Sequence, residues 1–181
     1  MDTTIINFSE GVFMRAGEAD WDAIYAEQLP RVYNFFRYRV GDGPVAEDLT
    51  ATTFEKAWRG RKRYRHNLGA FSTWLITIAR NVATDHFRKN HNEISLNDAR
   101  DQPAPAPLEE IVQRRHDFSH LSMLLSRLST RERELIAYKY GAGLNNRAIA
   151  QLTRLSESNV GTILNRSVNK LRAAWEAEDE R

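Results

Sequence analysis

The stretch Pro103-Ala104-Pro105-Ala106-Pro107 constrains this chain more than any other. Proline has no amide N–H and a fixed φ, so three prolines in five residues exclude helix and favour an extended polyproline conformation. The polar residues before it, Asn92 to Gln102, complete a linker of moderate stiffness. Elsewhere apolar residues recur mainly at three- and four-residue steps, the period of amphipathic helices. The expectation is an all-α fold of two small helical domains joined by a Pro-containing linker. Residues 1–91 form the first domain, 92–108 the linker and 109–181 the second. At 181 residues, two small domains are expected and no added catalytic one.

In the first domain Trp21, Ile24, Tyr25, Leu29, Val32, Phe35 and Phe36 mark one helix, which Pro30 is expected to kink or break. Gly41-Asp42-Gly43-Pro44 is a turn, and Pro44 suits the first position of a helix running to about Trp58. That helix places Val45, Ala46, Leu49, Thr53, Phe54 and Ala57 inward, and Asp48, Thr52, Glu55 and Arg59 outward. A basic loop follows. In the third helix Ser72 is expected to be the N-cap, with Phe71 stapled to Ile76. Its inner face carries Phe71, Trp74, Leu75, Ile78, Ala79, Val82 and His86; its outer face carries Thr73, Thr77, Arg80, Asn81, Thr84 and Arg88.

The second domain opens with Leu121, Leu124, Leu125 and Leu128 on one helix face. Ser129-Thr130-Arg131-Glu132 is a capping box for the next helix, which Gly141 and Gly143 end. Asn145 caps a short helix, and Ser156 caps a longer one striped with Val160, Leu164, Val168, Leu171 and Trp175. Helix, short turn and longer helix make a helix-turn-helix unit, with Arg154 where the turn commonly has Gly.

Charge is segregated along the chain, although its net value is only +2. Residues 1–55 carry net −6 and residues 56–91 net +8; 92–135 carry −2, 136–175 carry +5 and 176–181 carry −3. Two basic blocks bordered by acidic stretches fit two contacts with a polyanion; solvated helix faces are the plainer alternative. On the last helix Ser158, Asn159, Thr162, Asn165, Arg166 and Asn169 share a side, with Lys170 beside them. Asn pairs bidentately with adenine, Arg with guanine or phosphate, and a Thr methyl with thymine. Three Asn on one helix are poor helix formers, so an idle polar face explains them less well. In the first block Arg61, Lys62, Arg63, Arg65, His66 and Asn67 are interleaved with Tyr64 and followed by Phe71 and Trp74. Cations that track phosphates beside rings that stack on bases are the parts of a single-strand site. Core packing is the better reading for Trp74, which borders the apolar arc; Arg80 and Asn81 read as outward.

Catalysis has little support. The chain has no cysteine, no Gly-rich phosphate loop and no nucleophile elbow, so a non-enzymatic role with no cofactor is expected. His116 and His120 stand four apart, yet no third metal ligand accompanies them, and no metal site is expected. No apolar run approaches a membrane span, and the N-terminus has neither a basic region nor a long apolar one, so a cytoplasmic location without membrane insertion is expected.

Three segments resemble bacterial RNA polymerase sigma factors, in particular the small extracytoplasmic-function (ECF) group. Ala46-Glu47-Asp48-Leu49-Thr50-Ala51-Thr52-Thr53-Phe54-Glu55-Lys56-Ala57-Trp58 resembles their core-binding motif. Phe71-Ser72-Thr73-Trp74-Leu75-Ile76-Thr77-Ile78-Ala79-Arg80-Asn81-Val82-Ala83-Thr84-Asp85 resembles their −10-recognition helix, and Leu128 to Arg172 their −35-binding domain. The resemblance covers about residues 18–175. It implies binding to core RNA polymerase, with Asp48, Thr52 and Glu55 against the β′ clamp helices, and a contact with the β flap. It implies promoter DNA as partner, both as duplex and as melted non-template strand. Asn81 would read a flipped-out −10 base, the loop from Arg61 to Ala70 would form the base pocket, and Thr77, Arg80, Thr84, Arg88 and Lys89 would complete that surface. The last helix would enter the −35 major groove. Many relatives are held inactive by an anti-sigma factor, which the resemblance implies as a further partner. The sequence departs from the family at Ala51, Ala148, Gly161 and Ile163, where Gln, an acidic residue and basic residues are common. A stand-alone helix-turn-helix regulator and a helical adaptor that binds only protein are the competing readings.

Overall fold

The computed structural model describes residues 21–65, 67, 69–94 and 109–179, with side chains placed for all but 91–94, 109–117 and 179. The elements among the described residues are helices and helical turns, in the order α1 (Trp21–Val40), α2 (Gly43–Gly60), a 3-10 turn (Arg61–Arg63), α3 (Phe71–Ile94), α4 (Glu109–Ser126), α5 (Thr130–Ile136), a π turn (Ala137–Gly141), α6 (Asn146–Thr153) and α7 (Glu157–Asp179). Helices α1–α3 make the first domain and α4–α7 the second. The prolines at 103–107 lie outside the described residues.

Helix α1 runs unbroken through Pro30, so of the expected kink or break the break does not occur. Pro30 sits on the exposed side, while Ile24 and Gln28 before it and Val32, Phe35 and Phe36 after it are all buried on the other. Each buried apolar side chain is worth about 1.5–3 kcal/mol, enough together to outweigh one missing hydrogen bond and a ring clash. Helix α2 starts where the turn residues place it. Asp42 accepts the Val45 N–H at 2.8 Å, Pro44 occupies the first turn, and Ala46, Leu49, Thr50, Thr53, Phe54 and Ala57 are buried. Helix α3 begins two residues earlier than expected. Ala70, not Ser72, precedes it, and the Ala70 carbonyl accepts the Trp74 N–H at 3.1 Å. Ser72 is buried inside the first turn, because Phe71 must join the helix to reach the ring cluster of Tyr64 and Trp74.

In the second domain the capping box is present: the Glu132 N–H donates to Ser129 Oγ (3.3 Å) and the Ser129 N–H to Glu132 Oε2 (3.0 Å). Asn145 Oδ1 accepts the Ala148 N–H at 2.8 Å, and Ser156 Oγ accepts the Asn159 N–H at 3.2 Å. Arg154 adopts the left-handed conformation (φ +58°) between α6 and α7, the geometry for which Gly is common in such a turn.

The two domains meet along α1. The π turn lays Tyr138 and Gly141 on it: the Tyr138 ring is fully buried and stacked on Phe35, with centroids 5.4 Å apart and planes at 17°. A Cβ on Gly141 would fall 2.8 Å from the Asn34 carbonyl oxygen and the Phe35 Cα, so only Gly permits this approach. The apolar residues of both domains thus form one continuous core.

Candidate nucleic-acid and polymerase interfaces

Helical spacing brings Asp48, Thr52 and Glu55 together on the outer face of α2. Asp48 and Glu55 are exposed; Thr52 is half-buried and donates its hydroxyl to the Asp48 carbonyl at 2.9 Å. Glu55 pairs with Arg59 at 2.6 Å, an exposed i,i+4 pair worth well under about 1 kcal/mol, so a competing cation can replace Arg59. The result is a small acidic surface on an exposed helix.

The basic loop rests on aromatic rings. Tyr64 packs against Phe71 and Trp74 at centroid distances of 5.2 and 5.3 Å and donates its hydroxyl to the Gly69 carbonyl at 3.1 Å. Burial raises its phenol pKa. Trp21 joins the cluster edge-on to Phe71 and to Trp58. Trp74 is half-buried within it, in line with a packing role. Lys62, Arg63, Arg65 and Asn67 project from this base into solvent, and Arg61 is half-buried. His66 lies outside the described residues.

On α3, Asn81, Thr84, Arg88 and Lys89 are exposed and Thr77 is half-buried. The hydroxyls of Thr77 and Thr84 donate to the carbonyls of Thr73 and Arg80, one turn back. Arg88 pairs with Asp85 at 3.3 Å while remaining largely exposed. Arg80 departs from the outward expectation. Its Nη1 donates to the Leu152 carbonyl at 2.9 Å and its Nε lies 3.4 Å from Glu134, both in the second domain. Its long side chain thus spans the seam between the domains.

Sequence reasoning missed Trp58. It is 48% exposed, with the Arg61 guanidinium 3.9 Å above its ring and Arg61 Nη1 donating to its carbonyl at 2.8 Å. The signal was Arg61 three residues after an aromatic residue at a helix end.

On α7, Ser158, Asn159, Thr162, Asn165, Arg166 and Asn169 are exposed along one side, starting in the first turn after the helix-turn-helix corner. Val160 and Leu164 are buried on the other side and fix that rotation. Asn169 Nδ2 approaches Asn165 Oδ1 at 3.5 Å, and Thr162 donates to the Ser158 carbonyl at 3.0 Å. Lys170 is turned away from this row. Its Nζ donates to Glu132 Oε1 at 2.6 Å, tying α7 to the capping box of α5. That ammonium, followed by the Ser129 hydrogen bonds, lowers the Glu132 pKa to about 2.

His120 bonds Glu178 through Nε2 and packs at a tilt against Trp175, with centroids 4.2 Å apart and planes at 37°; Arg127 holds the other Glu178 oxygen at 2.6 Å. The His116 side chain lies outside the described residues. Among the described residues no three His, Asp or Glu side chains are grouped to hold a metal, and no helix is long and apolar enough to cross a membrane.

Comparison with known proteins agrees with this layout. The sigma-70 region 2 family model matches residues 24–93, and the sigma-70 region 4 model matches residues 120–171. The RNA polymerase sigma factor CarQ of Myxococcus xanthus is 30% identical over 87% of this chain and 91% of its own length. The ECF RNA polymerase sigma factor SigM of Bacillus subtilis is 28% identical over 85% of this chain and 94% of its own. BldN of Streptomyces coelicolor, also an ECF RNA polymerase sigma factor, is 29% identical over 87% of this chain, which spans only 61% of BldN. Two solved structures share the fold: the sigma factor RpoE of Bartonella quintana in complex with the anti-sigma factor NepR (TM-score 0.68, 21% identity, 87% of this chain and 97% of that one), and CnrH in complex with the cytosolic domain of CnrY (TM-score 0.60, 20% identity, 87% and 86%). With region 2 over α1–α3, region 4 over α4–α7 and a 30% identical relative along most of its length, the chain belongs to the ECF RNA polymerase sigma factor family.

Proposed function

We propose that this protein binds core RNA polymerase and directs promoter-specific initiation through a −10 and a −35 element. The observation that carries the reading is three exposed surfaces of distinct chemistry on one chain: the acidic face of α2, the basic loop with α3, and the Asn-rich face of α7. Residues 1–91 serve core binding and −10 recognition, 92–108 link, and 109–181 read the −35 element.

Asp48, Thr52 and Glu55 meet the basic clamp helices of β′. Asn81 receives an unstacked −10 base, beside Lys62, Arg63 and Arg65 on phosphates. Extruding a base costs a few kcal/mol, which its capture in a protein pocket offsets in part. Asn159, Thr162, Asn165 and Arg166 enter the −35 major groove, where one good bidentate pair discriminates by about 1–3 kcal/mol. Both fold relatives were solved with anti-sigma partners, which supports such a partner here.

Run-off transcription tests the reading. Core polymerase plus this chain should give discrete transcripts, and core alone should not. A chain that binds duplex DNA by itself, with paired half-sites and no effect on core, would instead be a stand-alone helix-turn-helix regulator.

A further inference from the structure

The helix-turn-helix carries more positive charge than its own residues neutralise. Between residues 136 and 175 stand Lys139, Arg147, Arg154, Arg166, Lys170 and Arg172, against the single carboxylate Glu157. Among the described residues only Lys170 of these is ion-paired, to Glu132 at 2.6 Å. Lys139 donates to a neutral acceptor, Asn146 Oδ1, at 3.1 Å. Arg147 and Arg154 are exposed, and among the described residues neither side chain has a hydrogen-bond, ion-pair or ring partner.

Both arginines stand where local chemistry favours another residue. Arg154 closes α6 with φ +58° and ψ +29°, and among the described residues it alone, glycines apart, has a positive φ. A Cβ crowds the backbone there, a strain that Gly avoids and Asn tolerates. Arg147 lies in the first turn of α6, beside the cap Asn145, where the helix dipole disfavours a cation. Glu157, three residues beyond Arg154, is exposed and does not pair with it. Among the described residues nothing offsets either cost, so the compensating group comes from outside the chain. A guanidinium has five N–H donors in a planar fork and no acceptor, which suits an anion with paired oxygens.

The placement of the two arginines selects the anion. They are seven residues apart, two helical turns, so they share one side of α6 at a separation of about 10 Å. Ile149 and Thr153 are buried on the opposite side. Arg154 stands two residues before Ser156, the cap of α7, and four before Ser158, where the exposed Asn-rich row begins. That row contributes one cation, Arg166, whereas DNA affinity comes largely from neutralised phosphates. Phosphates of one strand follow each other every ~3.4 Å of duplex axis, so a pair about 10 Å apart spans a few of them. We propose that Arg154 and Arg147 are a phosphate-binding pair that holds the DNA backbone beside α7 and seats the Asn-rich row in its groove. The choice of groove rests on the −35 reading above; the phosphate contact forms on any duplex.

Salt dependence tests the pair. The probe is a random-sequence duplex of about 30 base pairs, bound by the full-length chain at roughly 20–200 mM salt. Each phosphate contact adds about 0.9 to the slope of log affinity against log salt. Arg154→Gly should lower the slope by about 1 and the affinity at ~50 mM salt at least threefold. Its melting temperature should stay level or rise, because Gly fits φ +58° without strain. Arg154→Asn should match Arg154→Gly in DNA binding, and Arg154→Lys should recover the slope. Adding Arg147→Gln to Arg154→Gly should bring the total loss of slope to about 2. The losses should be equal on duplexes of unrelated sequence. An unchanged slope in the double variant overturns the pair, and so does a wild-type chain that binds no duplex even at ~20 mM salt. A loss confined to one sequence makes Arg154 a base contact and overturns the phosphate assignment. A wild-type chain that gives no transcript with core polymerase would refute the sigma reading instead, while the slope would still report the phosphates.

Discussion

Asn81 and Glu132 show how single side chains divide the work. Asn81 is exposed on α3 and presents both an amide donor and an acceptor. Asn81→Ala should reduce promoter opening at least tenfold while leaving core affinity unchanged; equal losses in permanganate footprinting and in core binding would remove it from the base-reading role. Glu132 is structural. With its pKa lowered to about 2, chiefly by Lys170, its ion pair stabilises the fold fully above the unfolded value near 4.5. That contribution is lost as pH falls from about 4.5 toward about 2. Lys170→Ala should shift the Glu132 carboxylate titration upward by NMR, with little effect on DNA binding because Lys170 faces α5. Ser129→Ala should cost about 1 kcal/mol of stability by chemical denaturation, through loss of the cap.

Elements were legible where local chemistry sets them. The capping box at Ser129, the cap at Asn145 and the cap at Ser156 needed only a side-chain oxygen and the right offset, and each forms its hydrogen bond. The turn at Arg154 was readable as a missing Gly, and the chain does adopt φ +58° there. Reading failed where packing outweighs local preference. Pro30 does not break α1, because buried residues flank it on one face. Ser72 does not cap α3, because Phe71 is drawn into the ring cluster. The helical wheel placed Arg80 outward, but its acceptors lie some seventy residues away in the second domain, beyond the reach of any local pattern. Lys170 is a similar case, turned toward Glu132 by a contact between α7 and α5. On α7 the row stays exposed, as the proposed −35 contact requires. Asn165→Ala and Arg166→Ala should each weaken binding to a cognate −35 duplex by about 1–3 kcal/mol and relax preference at one base pair. A uniform loss across all sequences would instead mark them as phosphate contacts.

At the scale of the whole molecule, the order of charge along the chain maps onto the order of its surfaces. The acidic first segment holds the α2 face, the +8 block holds the loop and α3, and the +5 block holds α7. The linker prolines divide the chain in sequence, yet α1 and the π turn rejoin the two halves in space. Tyr138→Ala removes the ring at the centre of that seam and should destabilise the packed chain by about 3–5 kcal/mol. In the proposed function these surfaces serve one act, initiation by core polymerase at a two-part promoter. Sequencing of transcript 5′ ends made by core polymerase with this chain on the genomic DNA of the encoding organism tests it most directly. Discrete start sites that share two upstream elements, near −10 and −35, are expected, and they should vanish with Asp48→Arg through lost core binding. Start sites no different from those of core alone would contradict it.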